Sequence, residues 1–521
     1  MKPLLRPTRT RRFSTVAWVT AVLVGATAVA VPAPRADAAV GSATVPAAAT
    51  GRVLVIGLDG ANLDRVKAAD APNLHSLMAQ GMTAPSTLPT VPMALTSSGP
   101  GWSTVATGVW PDKHKVWGNL FLLADFDSHP DFLTRIERSR PALATYAAAG
   151  WEPLASSRKG GPVFSSAVDK RLSLDGSTNG NRTEDGRVAV AAAEELHRGD
   201  PDAAFVYFGE IDSAGHGHGA ASTQYLDAIA RTDRNVGMLL GAVTTRPKYH
   251  EENWQILVTT DHGHTDKGGH GGFTIKERGT FVIATGPGIA PGSVRHDVRQ
   301  VDVAATALSH VGVAVDGLDG RPLDTTGEDA FDTVRPLLRT RVDESGVPAG
   351  TLGFTHTPPD GWRVDNSAMG GGGVAEWRGW TFATDEFWSQ TQWGQYRETN
   401  VRSRDVFAVA DSDEWSDRST KGSFDSTLIS PRWATTGGSA VTLSYRSHYR
   451  HWFGQRAEVR VSFNGGPWTT VRSHTRTALA SGESIRIDVP AGATDIQVGF
   501  RYRGGNDWYW AVDDVRLGPA R

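Results

Sequence analysis

Arg52-Val-Leu-Val-Ile-Gly-Leu-Asp59 is the stretch on which the reading of the fold turns. From Val53 to Leu58 no polar residue interrupts the run, so both faces of an extended chain would meet apolar surroundings. That pattern reads as a buried parallel strand. It recurs in Ala203-Ala-Phe-Val-Tyr-Phe-Gly209, Gln255-Ile-Leu-Val-Thr-Thr-Asp261 and Phe281-Val-Ile-Ala-Thr285. Between these runs the spacing changes to three and four residues, at Leu226, Ile229, Ala230, Val236 and Leu240 and again from Val301 to Val311, which predicts helices. Strand alternating with helix predicts an α/β fold with a mostly parallel sheet flanked by helices.

From about residue 360 the texture changes. Eleven of the seventeen tryptophans lie beyond it and the helical period vanishes. Val459, Val461 and Phe463 alternate with polar residues before Asn464-Gly465, and Ile496, Val498, Phe500 and Tyr502 alternate before Gly504-Gly505. Both read as hairpin signals, and their repetition predicts an all-β sandwich. The closing Trp510-Ala-Val-Asp-Asp-Val-Arg-Leu517 resembles the last strand of jelly-roll adhesion and carbohydrate-binding modules. The expected organisation is a leader over residues 1–39, an α/β domain over 40–323, a connection over 324–359 and a separate jelly-roll-like β-sandwich over 360–521, with glycines 370 to 373 a loop inside the last. At 521 residues the chain exceeds what one core serves, in keeping with two folded units.

Lys2, Arg6, Arg9, Arg11 and Arg12 precede an apolar stretch from about Val16 to Val31, and Ala36-Asp37-Ala38 offers a small-x-small cleavage pattern. This predicts a signal peptide and a secreted product, with Arg11-Arg12 leaving twin-arginine export open beside the general route. The apolar run is short for a bilayer span, so no membrane anchor is expected after processing. The chain has no cysteine, which excludes disulfides and thiolate metal ligands. A net charge of −3 gives no electrostatic reason to expect nucleic acid as a partner.

In open α/β sheets ligands bind beyond the carboxyl ends of the strands. Three strands here end in acids and histidines: Asp59 after the first, Asp212 and His216 in Glu210-Ile-Asp-Ser-Ala-Gly-His-Gly-His218, and Asp261 and His262 in Thr260-Asp-His-Gly-His-Thr-Asp-Lys-Gly-Gly-His-Gly-Gly272. Singly, each reads as a cap or a loop residue. Together, oxygen and nitrogen ligands at matching strand ends suit two divalent cations. A nucleophile is expected in Thr96-Ser97-Ser98-Gly-Pro-Gly-Trp102, at a turn into a helix whose first amides favour an anion. Thr96 and Ser97 remain alternatives to Ser98.

These motifs, with Pro111 and His114, resemble in order along the chain the alkaline phosphatase superfamily, and within it the type I phosphodiesterase/nucleotide pyrophosphatase family. The resemblance spans about Arg52 to Leu323. It implies one metal held by Asp59, Asp261, His262 and the oxygen of Ser98, a second held by Asp212, His216 and His270, and zinc as the usual ion. Asn119 stands where the family places an asparagine that contacts a non-bridging phosphate oxygen. Trp102 is either an aromatic contact to the substrate or packing, and His264 and Lys267 are expected as solvated loop residues or contacts outside the ligand set. The family's nucleophile is usually threonine followed by Phe-Pro-Asn-His, and the sequence here departs from that.

The implied activity is hydrolysis of phosphate esters through a phosphoserine. Alternatives are a phosphomonoesterase, a phosphonate hydrolase, and a sulfatase, against which Trp102 stands where its signature needs arginine. A reading of another class is a secreted glycan-binding protein, with Trp377, Trp380, Trp388, Trp393 and Trp452 stacking on sugars, against which stand their frequent use as core and the completeness of the ligand set.

Overall fold

The computed structural model describes residues 50–156, 161–324, 329–435 and 438–520. The expected leader lies outside the described residues. No helix among those described is long and apolar enough to cross a membrane.

The first part of the chain forms an eight-stranded sheet. Its strands are β1 (Thr50–Leu58), β2 (Met82–Thr87), β3 (Thr145–Ala149), β4 (Lys170–Ser173), β5 (Ala203–Phe208), β6 (Glu252–Thr259), β7 (Gly279–Thr285) and β8 (Ser293–Val294), in the spatial order β4-β3-β5-β1-β6-β7-β2-β8. The strands from β4 to β6 are mutually parallel. β7, expected as a parallel strand, runs antiparallel to both β6 and β2. An apolar run reports that both faces are covered, and says nothing of strand direction.

β1 shows why the sheet needs two layers of helix. Val53 and Val55 point into a core with Trp102, Phe205, Ala304 and Leu308, while Leu54, Ile56 and Leu58 point into a second with Leu74, Ile229 and Leu239. All five are fully buried, each worth roughly 1.5–3 kcal/mol against exposure. The helices Thr223–Thr244 and Asp302–His310 supply the opposing faces. The first of these begins where the Ser222 hydroxyl accepts a hydrogen bond from the Tyr225 amide at 3.1 Å.

The second part is built of antiparallel sheets of seven and six strands closing on one core, with Trp377, Trp380, Trp388, Trp415 and Trp510 inside. Arg456–Phe463 and Thr469–His474 form the expected hairpin across Asn464-Gly465. Gly504-Gly505 is not a hairpin turn. Asp495–Gly504 belongs to the six-stranded sheet, and Tyr509–Pro519 pairs with Val406–Asp411 and Ala440–Tyr449 in the other. The two strands face each other across the core, with the Phe500 and Trp510 rings 5.7 Å apart and the Tyr502 hydroxyl donating to the Trp508 carbonyl. Alternation marks the inner face of a strand without saying which sheet the next strand joins. Within 324–359, read as a connection, Arg339–Thr340 and Leu352–Thr355 are strands at the edge of the seven-stranded sheet. Gly371–Gly372 pairs with Thr420–Lys421.

The two parts meet through charge. Arg404 grips the Asp302 carboxylate with both terminal nitrogens, at 2.5 and 2.8 Å, and donates to the carbonyls of Asp297 and Asp319. Arg402 reaches Asp319 and Asp112.

Candidate metal centre

β1 lies between β5 and β6, parallel to both, so the carboxyl ends of three strands emerge side by side, about 4.8 Å apart. Asp59 leaves β1, and Asp261 and His262 leave β6. After β5 the chain enters the helix Glu210–His218, on which Asp212 and His216 sit four residues apart on one face. Gly60 has φ +67°, and a Cβ there would lie 2.8 Å from the His264 ring, so only glycine lets the backbone pass this close.

Asp59, Asp261 and His262 form one group and Asp212, His216, His264 and His270 another. In each, the potential ligand atoms all lie within 4.8 Å of one another. In the first group Asp59 Oδ1, Asp261 Oδ2 and His262 Nε2 are buried and have no hydrogen-bond partner. Every other polar atom of these side chains is committed. Asp59 Oδ2 accepts from Trp102 Nε1 at 2.9 Å and from the Tyr207 hydroxyl at 2.7 Å, Asp261 Oδ1 accepts from the Gly60 amide, and His262 Nδ1 donates to the Gly263 carbonyl. Buried polar atoms are nearly always paired, and three orphans converging with lone pairs fit a cation. The electrostatics agree. Burial, with the charge of Asp212 adding to it, lifts the Asp59 carboxyl to about 7 against the hydrogen bonds from Trp102 and Tyr207. Burial and the Asp59 charge push Asp261 well above the carboxylate range, while burial holds His262 neutral. Adjacent buried carboxylates beside a neutral imidazole are costly alone and favourable around a cation.

In the second group burial alone would raise the Asp212 carboxyl, but hydrogen bonds from His264 and His270 and the nearby imidazoles hold it low. His264 Nε2 is 2.7 Å, His270 Nε2 3.4 Å and His216 Nε2 3.5 Å from Asp212 Oδ1. His270 Nδ1 donates to the Thr96 carbonyl at 2.6 Å, which leaves its Nε2 directed to the group. His264, expected as a solvated loop residue or a contact outside the ligand set, is fully buried and belongs to the cluster. Lys267 is exposed.

Ser98 opens the buried helix Ser98–Thr107. That helix is pressed onto β6: a Cβ at Gly101 would meet the Asp261 Cβ at 2.7 Å and its carbonyl oxygen at 2.8 Å. The Thr96 hydroxyl is already committed, donating to the Gly272 carbonyl and accepting from the Gly271 amide, so it anchors the His270 loop. The Gly99 amide, one of those expected to hold an anion, donates to Asn119 Oδ1 at 2.7 Å. That bond places Asn119 beside Ser98 with its Nδ2 still available to donate. Trp102, expected as either a substrate contact or packing, is wholly buried, edge-on to Phe205 and Tyr207, with its ring nitrogen spent on Asp59. His114 ties the helix to the next loop through Thr104 Oγ1 and the Val116 amide. Sequence reasoning missed Tyr207 and Asn62. The first hides inside the apolar run of β5, and the second exchanges hydrogen bonds with the His264 backbone.

A mainly parallel sheet with two aspartate–histidine groups at its carboxyl edge, followed by a β-sandwich, is the arrangement that the resemblance to the alkaline phosphatase superfamily implies. More particularly, residues 53–277 match the model of the family described as type I phosphodiesterase / nucleotide pyrophosphatase. The chain is 26% identical over 255 residues to mouse ectonucleotide pyrophosphatase/phosphodiesterase family member 7, covering 43% of this chain and 54% of the relative. It is 31% identical over 175 residues to GPI ethanolamine phosphate transferase 1 of Neurospora crassa, covering 29% of this chain and 17% of that one. The aligned stretch therefore spans about half the length of the first relative and less of the second. Among solved structures, human ectonucleotide pyrophosphatase / phosphodiesterase 5 is similar over 52% of this chain and 97% of its own, at 14% identity and a TM-score of 0.41. The phosphonate monoester hydrolase of Agrobacterium radiobacter is similar over 52% and 76%, at 16% identity and a TM-score of 0.40.

Proposed function

We propose that this chain is an exported, metal-dependent phosphoric ester hydrolase of phosphodiesterase type, with its active site in the α/β domain over residues 40–323. The observation that carries the reading is the convergence of the unpartnered atoms Asp59 Oδ1, Asp261 Oδ2 and His262 Nε2 beside the start of the Ser98 helix. Asp59, Asp261, His262 and Ser98 would hold one divalent cation and Asp212, His216 and His270, with His264, a second; the nitrogen and oxygen donor set suits zinc. Bound there, such ions supply Lewis-acid stabilisation of phosphate charge and favour an ionised hydroxyl.

The chain's own groups do the rest. Ser98 Oγ attacks phosphorus, the Oγ–P bond forming as the bond to the leaving oxygen breaks, and the departing alcohol carries the proton that the serine gave up. Water then breaks the Oγ–P bond and returns a proton to Ser98. Asn119, fixed through Gly99, directs its Nδ2 at a non-bridging oxygen. Trp102 and Tyr207 hold Asp59 in orientation, and the Thr96 carbonyl does so for His270.

The test compares bis-p-nitrophenyl phosphate with p-nitrophenyl phosphate as substrates of the metal-loaded chain. Diesterase preference, loss on chelation and loss in Ser98→Ala support the reading; full activity after exhaustive chelation or in Ser98→Ala overturns it. The similarity to the Neurospora transferase favours a second reading, in which an alcohol rather than water takes the phosphoryl group from Ser98. The ratio of transferred to hydrolysed product in the presence of an amino alcohol separates the two.

A further inference from the structure

A second concavity opens at the same end of the sheet. β2 lies two strands from β6, about 10 Å away, and its last residues, aligned with the start of β7, emerge on the side where Asp261 leaves β6. Between that strand end, the turn at Phe273 and Ile275 that follows His270, and the sandwich segments 348–352 and 384–390 lies a cleft of about 790 Å³.

Two charges line this cleft without partners. Arg299 is 7% exposed and Asp385 8%. Arg299 is engaged through its backbone alone, its amide donating to the Asp302 carboxylate and its carbonyl accepting from the Asp302 amide, and among the described residues neither its guanidinium nor the Asp385 carboxylate makes a hydrogen bond or ion pair. They are close enough for each to oppose the effect of burial on the other, yet not in contact. The other ions facing the cleft are accounted for: Arg335 pairs with Asp405 and Glu386 with Arg278, and His296 sits exposed at the rim.

Buried ions are kept only where something pairs with them. A guanidinium and a carboxylate sharing one cavity with a gap between them leave room for a bridging molecule of opposite polarity at its two ends. We propose that the cleft binds a small zwitterion, its carboxylate or phosphate taken in the fork of Arg299 and its ammonium by Asp385, with Phe273 and Leu352 covering the carbon chain between. Arg299 suits the anionic end because its planar fork matches two oxygens at once. The site is distinct from the metal centre and uses none of its residues.

Isothermal titration of the full, metal-loaded chain with ω-amino acids from glycine to 6-aminohexanoate tests this, with butyrate and butylamine as single-charge controls. One chain length should bind one-to-one and about tenfold or more tighter than either control. Arg299→Gln and Asp385→Asn should each erase that preference, and Arg299→Lys, which keeps the charge and loses the fork, should weaken it. Thermal melts report whether each variant is folded; should Arg299→Gln fail to fold, Arg299→Lys and Asp385→Asn decide. A series in which no zwitterion exceeds the controls overturns the proposal, as does a preference that survives Asp385→Asn and Arg299→Lys undiminished.

Discussion

Trp102 shows how a single side chain can serve a site it never opens onto. Its ring nitrogen and the Tyr207 hydroxyl both donate to Asp59 Oδ2, leaving Oδ1 as the one free lone-pair atom of that carboxylate. Trp102→Phe keeps most of the packing and removes one donor. The expected result is a loss of about 10–100-fold in metal affinity or activity, read by metal titration, with added metal restoring activity toward the parent value. Residue types at strand ends pointed to Asp59, Asp212, His216, Asp261 and His262, and the family resemblance added His270. They could not separate Thr96 from Ser98, because the hydroxyls differ only in what surrounds them. Thr96 Oγ1 is engaged at both ends by Gly271 and Gly272, 175 and 176 residues further on.

At the scale of elements, the Ser98–Thr107 helix is held at a close approach that depends on small residues. Gly101 abuts Asp261 and Gly57 of β1 abuts the Trp102 ring, where an added Cβ would lie 2.7 Å from the Asp261 Cβ and 2.5 Å from the ring. Alanine favours a helix interior over glycine by about 0.5–1 kcal/mol, so Gly101→Ala gains local stability while pushing Ser98 off β6. A displacement near 1 Å costs on the order of 100-fold in rate. Gly101→Ala should therefore lose activity by about that factor and melt below the parent, because overpacking against Asp261 costs about 1–3 kcal/mol. β7 and the strand Tyr509–Pro519 mark the limit of reading elements from pattern: each was recognisable as a strand, and the direction of one and the sheet of the other were not.

Across the whole molecule, the joint between the α/β part and the sandwich rests on Arg404 and Asp302, both buried. Arg404→Ala leaves the Asp302 carboxylate buried with only the amides of Arg299 and Arg321 as donors. The expected cost is about 3–5 kcal/mol, measured by thermal or chemical denaturation. Acid should weaken both parts. His114 in one and His448 in the other each use Nδ1 to accept a backbone hydrogen bond, from Val116 and Ala480, and burial lowers each from 6.5 to about 3. The unfolded chain takes up these protons below about pH 6.5 and the folded chain does not until about pH 3. Stability therefore falls as pH drops through that window, by about 1.4 kcal/mol per pH unit for each histidine. Denaturation midpoints between pH 7 and pH 4 check this, and His448→Gln, which keeps an acceptor and does not titrate there, should flatten the dependence.

The amino-acid sequence by itself determined the succession of strands and helices, the change to β-structure and most of the atoms that could grip a cation, because periodicity and residue chemistry are local properties. Only the tertiary structure decided that His264 lies in the cluster, that Trp102 supports Asp59 from within the core, that Arg404 clamps one part to the other, and that Arg299 and Asp385 share a cleft. Those outcomes depend on which distant side chains fill the space around each group, and burial is settled by the packing of the whole chain at once.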